Sequence, residues 1–355
     1  MLAREWARAV YGWAVPPLPN LDEHPPVRLH IVTGKGGTGK TTVACALAFA
    51  LASAGKRVLV CEVEGRQGLS EPLDVPHLDY TEATVPHPGP GTVLATAIDP
   101  EPALGEYLAK FYKASPVGAV LRRSGAVDFV TTIAPGLRDV LLTGKVYEAA
   151  RRRERGRNRA HVFDAVVMDA PPTGRIGRFL NVTAEVSSLA KVGPIHSQAT
   201  SIAALLRSPE TAVHIVTLLE DMPVQETVEA VQELSELGVA VGSIIANQVE
   251  PALLDRPLAD LLAAGEDASR QVQEGLVAAG LVRPDRRTGP PARRTARALI
   301  DDAAASLRRA EAQQQARALL AQSGTPIVDI LWRPVRSAHA LATDVAAGLA
   351  GSELI

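Results

Sequence analysis

A chain of 355 residues with 46% hydrophobic side chains buries a large core, as one α/β unit or as one carrying a substantial insertion. A formal charge of −2 supplies no basic field for nucleic acid, and 4% aromatic residues without basic interleaving make no base-stacking surface. Only Cys45 and Cys61 are present and no C-x-x-C occurs, which argues against a disulfide framework, a zinc clip and a cysteine-ligated iron–sulfur cluster.

Residues 1–26 precede the first core strand. Leu2, Trp6, Val10 and Trp13 recur near helical spacing until Pro16-Pro17 stops them. They read as a short helix packed on the domain surface, or as a helix docking on a partner or membrane. No basic segment leads into an apolar one, and the longest apolar run, Val43 to Ala52, is too short to span a bilayer. The expectation is a cytoplasmic protein.

Val27 to Val32 alternates and is β-branched, as in a strand. Next comes Gly34-Lys35-Gly36-Gly37-Thr38-Gly39-Lys40-Thr41, which meets the spacing G-x-x-x-x-G-K-[ST]. An alanine-rich stretch from Thr42 to Leu51 follows as a buried helix, stopped near Gly55. Strand, glycine loop and helix form a phosphate-binding loop: backbone N–H groups turn inward on phosphate oxygens, and the helix N-terminus adds partial positive charge. Lys40 is placed to reach the β- and γ-phosphates of ATP, and the Thr41 hydroxyl to ligate Mg²⁺.

Val58 to Val63 is the second strand. Residues 71–92, rich in Pro, Thr and Gly, read as loop with at most one edge strand, and Val93 to Ile98 as another strand. From 100 to about 153 the pattern is helical, broken at Pro116 and Pro135-Gly136, and is long for one crossover, so it is expected to be a helical insertion. The basic run Arg151 to Arg159 reads as a solvated loop. Val162 to Asp169 is a buried strand ending in a carboxylate about 130 residues after Lys40, where such a site holds Mg²⁺ through water. Pro172-Thr173-Gly174 is expected to turn its N–H groups toward the γ-phosphate. Residues 182–208 read as helical, 212–218 as strand, 224–237 as helix and 241–246 as strand. Residues 251–323 form Ala/Leu/Arg-rich helix with a loop at 284–294, and 326–331 a last short strand. The fold class is α/β, a doubly wound, mostly parallel sheet with a helical insertion. The expected organisation is an extension over 1–26 and one domain over 27–355, with the insertion at about 100–153 and a helical segment at about 182–208.

The run from Gly34 to Thr42, with a lysine directly after the first glycine, resembles the deviant phosphate-loop class of partition ATPases, nitrogenase iron proteins and arsenical-pump ATPases. The resemblance implies that Lys35 crosses a dimer interface to the partner's nucleotide, whether the partner is a like chain or a related subunit. Within that class the chain is similar to the ArsA-type, bacterial anion-transporting ATPases, whose relatives include tail-anchored-protein-targeting ATPases. Their second switch reads Asp-Thr-Ala-Pro-Thr-Gly-His-Thr, and Asp169 to Gly174 match four of its first six positions. Ile98-Asp99-Pro100, Glu226-Thr227 and Asn247-Gln248 also fit, and Asn247 falls where that family reads the adenine ring. The resemblance covers roughly residues 28–250.

It also departs. The family's first switch carries an aspartate that orients the attacking water, and Glu64 stands at that place, one methylene longer. Slow or partner-dependent hydrolysis is expected, since in-line geometry is sensitive to about an ångström. The family's arsenite site depends on cysteines that this chain lacks, which argues against arsenite. With three methionines, Met1, Met168 and Met222, it has no methionine-rich groove. A leucine- and valine-lined groove in 104–150 and 182–208 would suit an apolar or membrane-protein client. The expected function is Mg²⁺-dependent ATP hydrolysis with nucleotide-driven dimer switching. The alternatives are a nucleotide-gated binding protein with little hydrolysis and a partition-type ATPase.

Overall fold

The computed structural model describes residues 26–63, 65, 67–111, 135–156, 159–182, 194–251, 266–282 and 290–350. The N-terminal segment with Trp6 and Trp13 lies outside the described residues, as does Glu64.

The strands are β1 (Leu29–Gly34), β2 (Arg57–Glu62), β3 (Ala83–Val85), β4 (Thr92–Ala97), β5 (Ala165–Asp169), β6 (Thr211–Thr217), β7 (Val241–Val249) and β8 (Ile327–Leu331). They form one sheet in the order β3-β4-β2-β5-β1-β6-β7-β8. Each neighbouring pair is parallel except β3 with β4, so the antiparallel pair is confined to one short edge. The chain leaves β1 toward β2 on one side and later adds β6 on the other. The strand order therefore reverses at β1, and a crevice opens at the carboxyl ends of the central strands, where open α/β sheets bind ligands.

The central strands are apolar at nearly every position because both faces are covered. Leu29, Ile31, Leu59, Cys61, Val166 and Met168 point to one layer, and Val32, Val58, Val60, Ala165 and Val167 to the other. The first layer holds helices α4 (Pro135–Arg151), α5 (Thr173–Leu180), α6 (Pro194–Leu206) and α7 (Asp221–Glu236). Val140, Leu142 and Val146 of α4 pack directly on the sheet core, so this helix is built into the domain. Pro135 opens it, where a missing N–H costs no helical bond. Helix α3 (Pro100–Phe111) lies against α4 through Ala103, Leu104, Tyr107 and Leu141.

The second layer holds α1 (Lys40–Ser53), the one-turn α2 (Ser70–Leu73) and α10 (Ala338–Leu349). Every residue of α1 from Val43 to Ala52 is buried, so it needs cover on both sides, the sheet on one and α10 on the other. Helix α10 was not among the elements expected from sequence. The Ser337 hydroxyl accepts from Ala340 N at 3.1 Å as its N-cap, and Ala342, Val345, Ala346 and Leu349 bury its inner face. Helices α8 (Glu266–Ala278) and α9 (Pro290–Ala321) pair with each other, and α9 reaches the β8 edge, where Arg317 pairs with Asp329. Among the described residues no helix is long and apolar enough to cross a membrane.

Two buried histidines interrupt the apolar pattern. His30 Nδ1 and His214 Nε2 meet at 3.1 Å between β1 and β6, with the rings stacked at 5.4 Å. Burial depresses both imidazoles, His214 to about 4.

Candidate functional site

The glycine loop spans the carboxyl end of β1 and the start of α1, so it opens into the crevice. Two glycines in it have no substitute. Gly34 adopts φ 153°, and a Cβ there would run into the Val216 carbonyl of β6. Gly39 adopts φ 92° in the left-handed region as the N-cap of α1, and a Cβ there would collide with the Asn247 side-chain amide. The first turn of α1 carries no acidic side chain and no side-chain cap, which leaves its N-terminal N–H groups and their positive potential to a bound anion.

The loop is braced from within. Thr38 donates its hydroxyl to the Lys35 carbonyl at 2.8 Å, and the Lys40 ammonium lies back over the loop, 3.4 Å from the same oxygen. Asn247, at the end of β7, donates from Nδ2 to the Thr38 carbonyl at 2.8 Å and accepts at Oδ1 from Gln248 N. The strand-end asparagine is thus held against the phosphate loop itself.

The Thr41 hydroxyl donates to Asp169 Oδ2 at 2.7 Å, across 128 residues of sequence. Register explains the meeting. Asp169 is the last residue of β5, paired with Val32 of β1 on one side and with Glu62 of β2 on the other. A hydroxyl and a carboxylate in contact at the mouth of a phosphate loop are hard oxygen ligands, the set that suits Mg²⁺.

Glu62 was not among the residues singled out from sequence. It ends β2 with 3% exposure, beside Asp169 in register, and its Oε2 accepts from Leu69 N at 3.3 Å. Gly68 sits against both Thr41 and Glu62. The available signal was a carboxylate inside the apolar run Val58 to Val63, which a buried strand tolerates only with a use for it. The family resemblance points two residues further, to Glu64. Beyond it, Gln67 at φ 57° ties this loop down, donating to Leu78 O at 2.9 Å and accepting from Leu78 N at 3.0 Å.

Pro172, Thr173 and Gly174 do not form a free turn. Thr173 is the first residue of α5, with Pro172 extended before it and Arg175 N bonded to Pro172 O at 2.8 Å. Proline favours an extended start and leaves the helix to begin at the next residue. The segment just ahead is anchored by the buried Thr33 hydroxyl, which donates to Pro171 O at 2.6 Å. Thr173, itself buried, donates to Glu226 Oε2 of α7 at 3.1 Å. The other oxygen of Glu226 takes the Lys35 ammonium at 2.7 Å. The Lys35 ammonium lowers the Glu226 carboxyl from its ordinary value, outweighing the opposing desolvation, and the Thr173 hydroxyl adds a smaller pull in the same direction. Gly36 and Gly37 are exposed, and Thr42 is half-buried at the start of α1. Cys45 and Cys61 are fully buried core thiols, pushed up by burial and by the nearby Asp169 carboxylate.

The site thus gathers Lys35, Lys40, Thr41, Asp169, Thr173 and Asn247 at the carboxyl end of the sheet. The family model for anion-transporting ATPases matches residues 27–206 and 189–257, which carry these elements. The ATPase BagA of Mycobacterium tuberculosis is 53% identical over 260 residues, 73% of this chain and 76% of that protein. An arsenical pump-driving ATPase of Acidiphilium multivorum is 26% identical over 62% of this chain and 39% of its own length. The ATPase get3 of Schizosaccharomyces japonicus is 24% identical over 65% of this chain and 78% of its own. A phosphate loop at the strand-order reversal, with a strand-end carboxylate on its threonine, agrees with those matches: the chain belongs to the ArsA-type anion-transporting ATPases and is an ATPase.

Proposed function

We propose that the chain hydrolyses Mg²⁺-bound ATP in a pocket completed by a second subunit, and that closure of this dimer drives a client or partner protein. The observation that carries the reading is the 2.7 Å contact of Thr41 with Asp169 at the mouth of the loop. In this reading Thr41 ligates Mg²⁺ and Asp169 holds it through water, with Glu62 adding charge beside them. Mg²⁺ supplies neutralisation of charge on the phosphate oxygens. Gly34 to Thr42 cradle the phosphates, Lys40 reaches the β- and γ-phosphates, and Asn247 turns toward adenine. Glu64 orients the attacking water. Lys35 completes the partner's site.

The proposed organisation is one ATPase domain over 27–355 preceded by an extension, with helical segments at about 100–153 and 182–208 as the face for an apolar or membrane-protein client. Among the described residues these segments include α3 and α4, which lie in sequence between the two switch segments, and α6, which follows the second. Purified protein is expected to release phosphate over many turnovers with Mg²⁺ and ATP, and to sediment as a dimer with ATP and as a monomer without it. Lys40→Ala abolishes turnover. Phosphate release that persists in Lys40→Ala, or no nucleotide binding by the wild type, overturns the reading. Tight ATP binding without turnover replaces hydrolysis by nucleotide-gated binding.

A further inference from the structure

Lys35 is not simply poised for another subunit. Its ammonium is held by Glu226, and the same carboxylate holds the first residue of α5 through Thr173. One side chain of α7 thereby joins the signature lysine of the phosphate loop to the second switch, with one oxygen for each. We propose that Glu226 is a positioning residue that makes the switch of one subunit respond to whether its lysine has crossed to the partner's nucleotide. The inference rests on the shared-pocket reading above.

Three features support it. The pair is partly exposed, at 31% for each side chain, so it is a weak and reversible contact and not a structural clamp. A triphosphate offers Lys35 more charge and more acceptor oxygens than one carboxylate, so it competes for the ammonium. When Lys35 leaves, Glu226 retains the Thr173 hydroxyl of these two contacts and regains side-chain freedom, which loosens its hold on the start of α5. Pro171, just ahead, stays fixed by Thr33, so the release acts from Pro172 onward. The carboxylate then opposes closure in the resting chain and reports it in the closed one.

The test uses the full chain as wild type, Glu226→Gln, Glu226→Asp, Lys35→Ala and the Lys35→Ala/Glu226→Gln double variant. Melting curves confirm that each folds. Two quantities are read: amide hydrogen exchange over residues 174–180 in nucleotide-free protein, and the ATP concentration for half-maximal dimer by sedimentation. Glu226→Gln keeps an acceptor for Thr173 but removes the charge that holds Lys35. It is expected to speed exchange of the switch amides and to lower the ATP requirement for closure, each by about two- to fivefold. Glu226→Asp restores both toward wild type.

In the exchange experiment Lys35→Ala matches Glu226→Gln, and the double variant is no faster than either single one, as two ends of one contact require. Additive effects, or a Glu226→Gln protein with wild-type exchange and wild-type ATP requirement, overturn the proposal. A higher ATP requirement in Glu226→Gln also overturns it, because the carboxylate then supports closure. If Lys35→Ala closes with the wild-type ATP dependence, the shared pocket fails instead. The exchange comparison, made without nucleotide, still reads the Lys35–Glu226–Thr173 link separately.

Discussion

Thr41 and Asp169 meet because β5 ends beside β1, whose loop carries the chain into the first turn of α1, so the chemistry of the site hangs on two side chains whose replacement leaves the sheet intact. Asp169→Asn keeps an acceptor for the Thr41 hydroxyl but removes a negative charge facing the phosphate loop. Hydrolysis is expected to fall on the order of 100-fold with little change in melting temperature, as checked by phosphate release. Glu62→Gln acts on the neighbouring strand end. It should raise the Mg²⁺ concentration needed for half-maximal hydrolysis by about tenfold while sparing kcat at saturating Mg²⁺. Equal Mg²⁺ titrations for variant and wild type would remove Glu62 from the metal's surroundings and leave it a bracket for Leu69. These two carboxylates also mark a limit of reading by motif. Asp169 stands out because a family pattern surrounds it, whereas Glu62, a lone acid in an apolar run, gains its place beside Asp169 only when β2 is laid beside β5.

At the scale of elements, α1 shows how a sequence can state a requirement without naming what meets it. Val43 to Ala52 has no polar face, so cover on two sides was legible, yet the covering helix α10 lies almost 300 residues later. Its apolar positions 342, 345, 346 and 349 follow helical spacing and were readable, but half of them are alanine and they follow a Pro/Arg stretch that looks like an unstructured end. The parallel strands were plain for the opposite reason: continuous β-branched runs admit few other places than a sheet covered on both faces. The Lys35–Glu226–Thr173 link and the Asn247 contact were not legible, because each depends on how far a helix or strand end projects over the loop. The burial of α10 carries its own expectation. Leu349 is 1% exposed, and Leu349→Ala should cost about 2–4 kcal/mol in urea unfolding, while nucleotide affinity of the folded fraction stays at the wild-type value. A loss under 1 kcal/mol would mean that α10 is a loose cover and that α1 is stabilised by the sheet alone.

For the molecule as a whole, the seam between β1 and β6 joins the two halves of the doubly wound sheet, and there the structure places a titratable pair in an apolar layer. His30 and His214 share one hydrogen bond and are each nearly inaccessible, so neither accepts a proton without losing solvation that the interior does not replace. For His214 the folded value is about 4 against 6.5 in the unfolded chain, with burial as the cause, and His30 is lowered by burial first and then by its partner and Lys56. Below 6.5 the unfolded chain therefore takes up protons that the native one refuses. This contribution to stability is full above pH 6.5 and declines as pH falls toward 4, at about 1.4 kcal/mol per pH unit for His214 in the steep part of that window. His214 alone accounts for roughly 3 kcal/mol across it. Urea unfolding of wild type and His214→Gln at pH 7.5 and 4.5 isolates this contribution from the carboxylates, since glutamine keeps a polar partner for His30 and does not titrate. The variant should lose less stability than wild type between the two pH values, by about 2–3 kcal/mol. Parallel losses in the two proteins would assign the acid sensitivity to groups outside the seam.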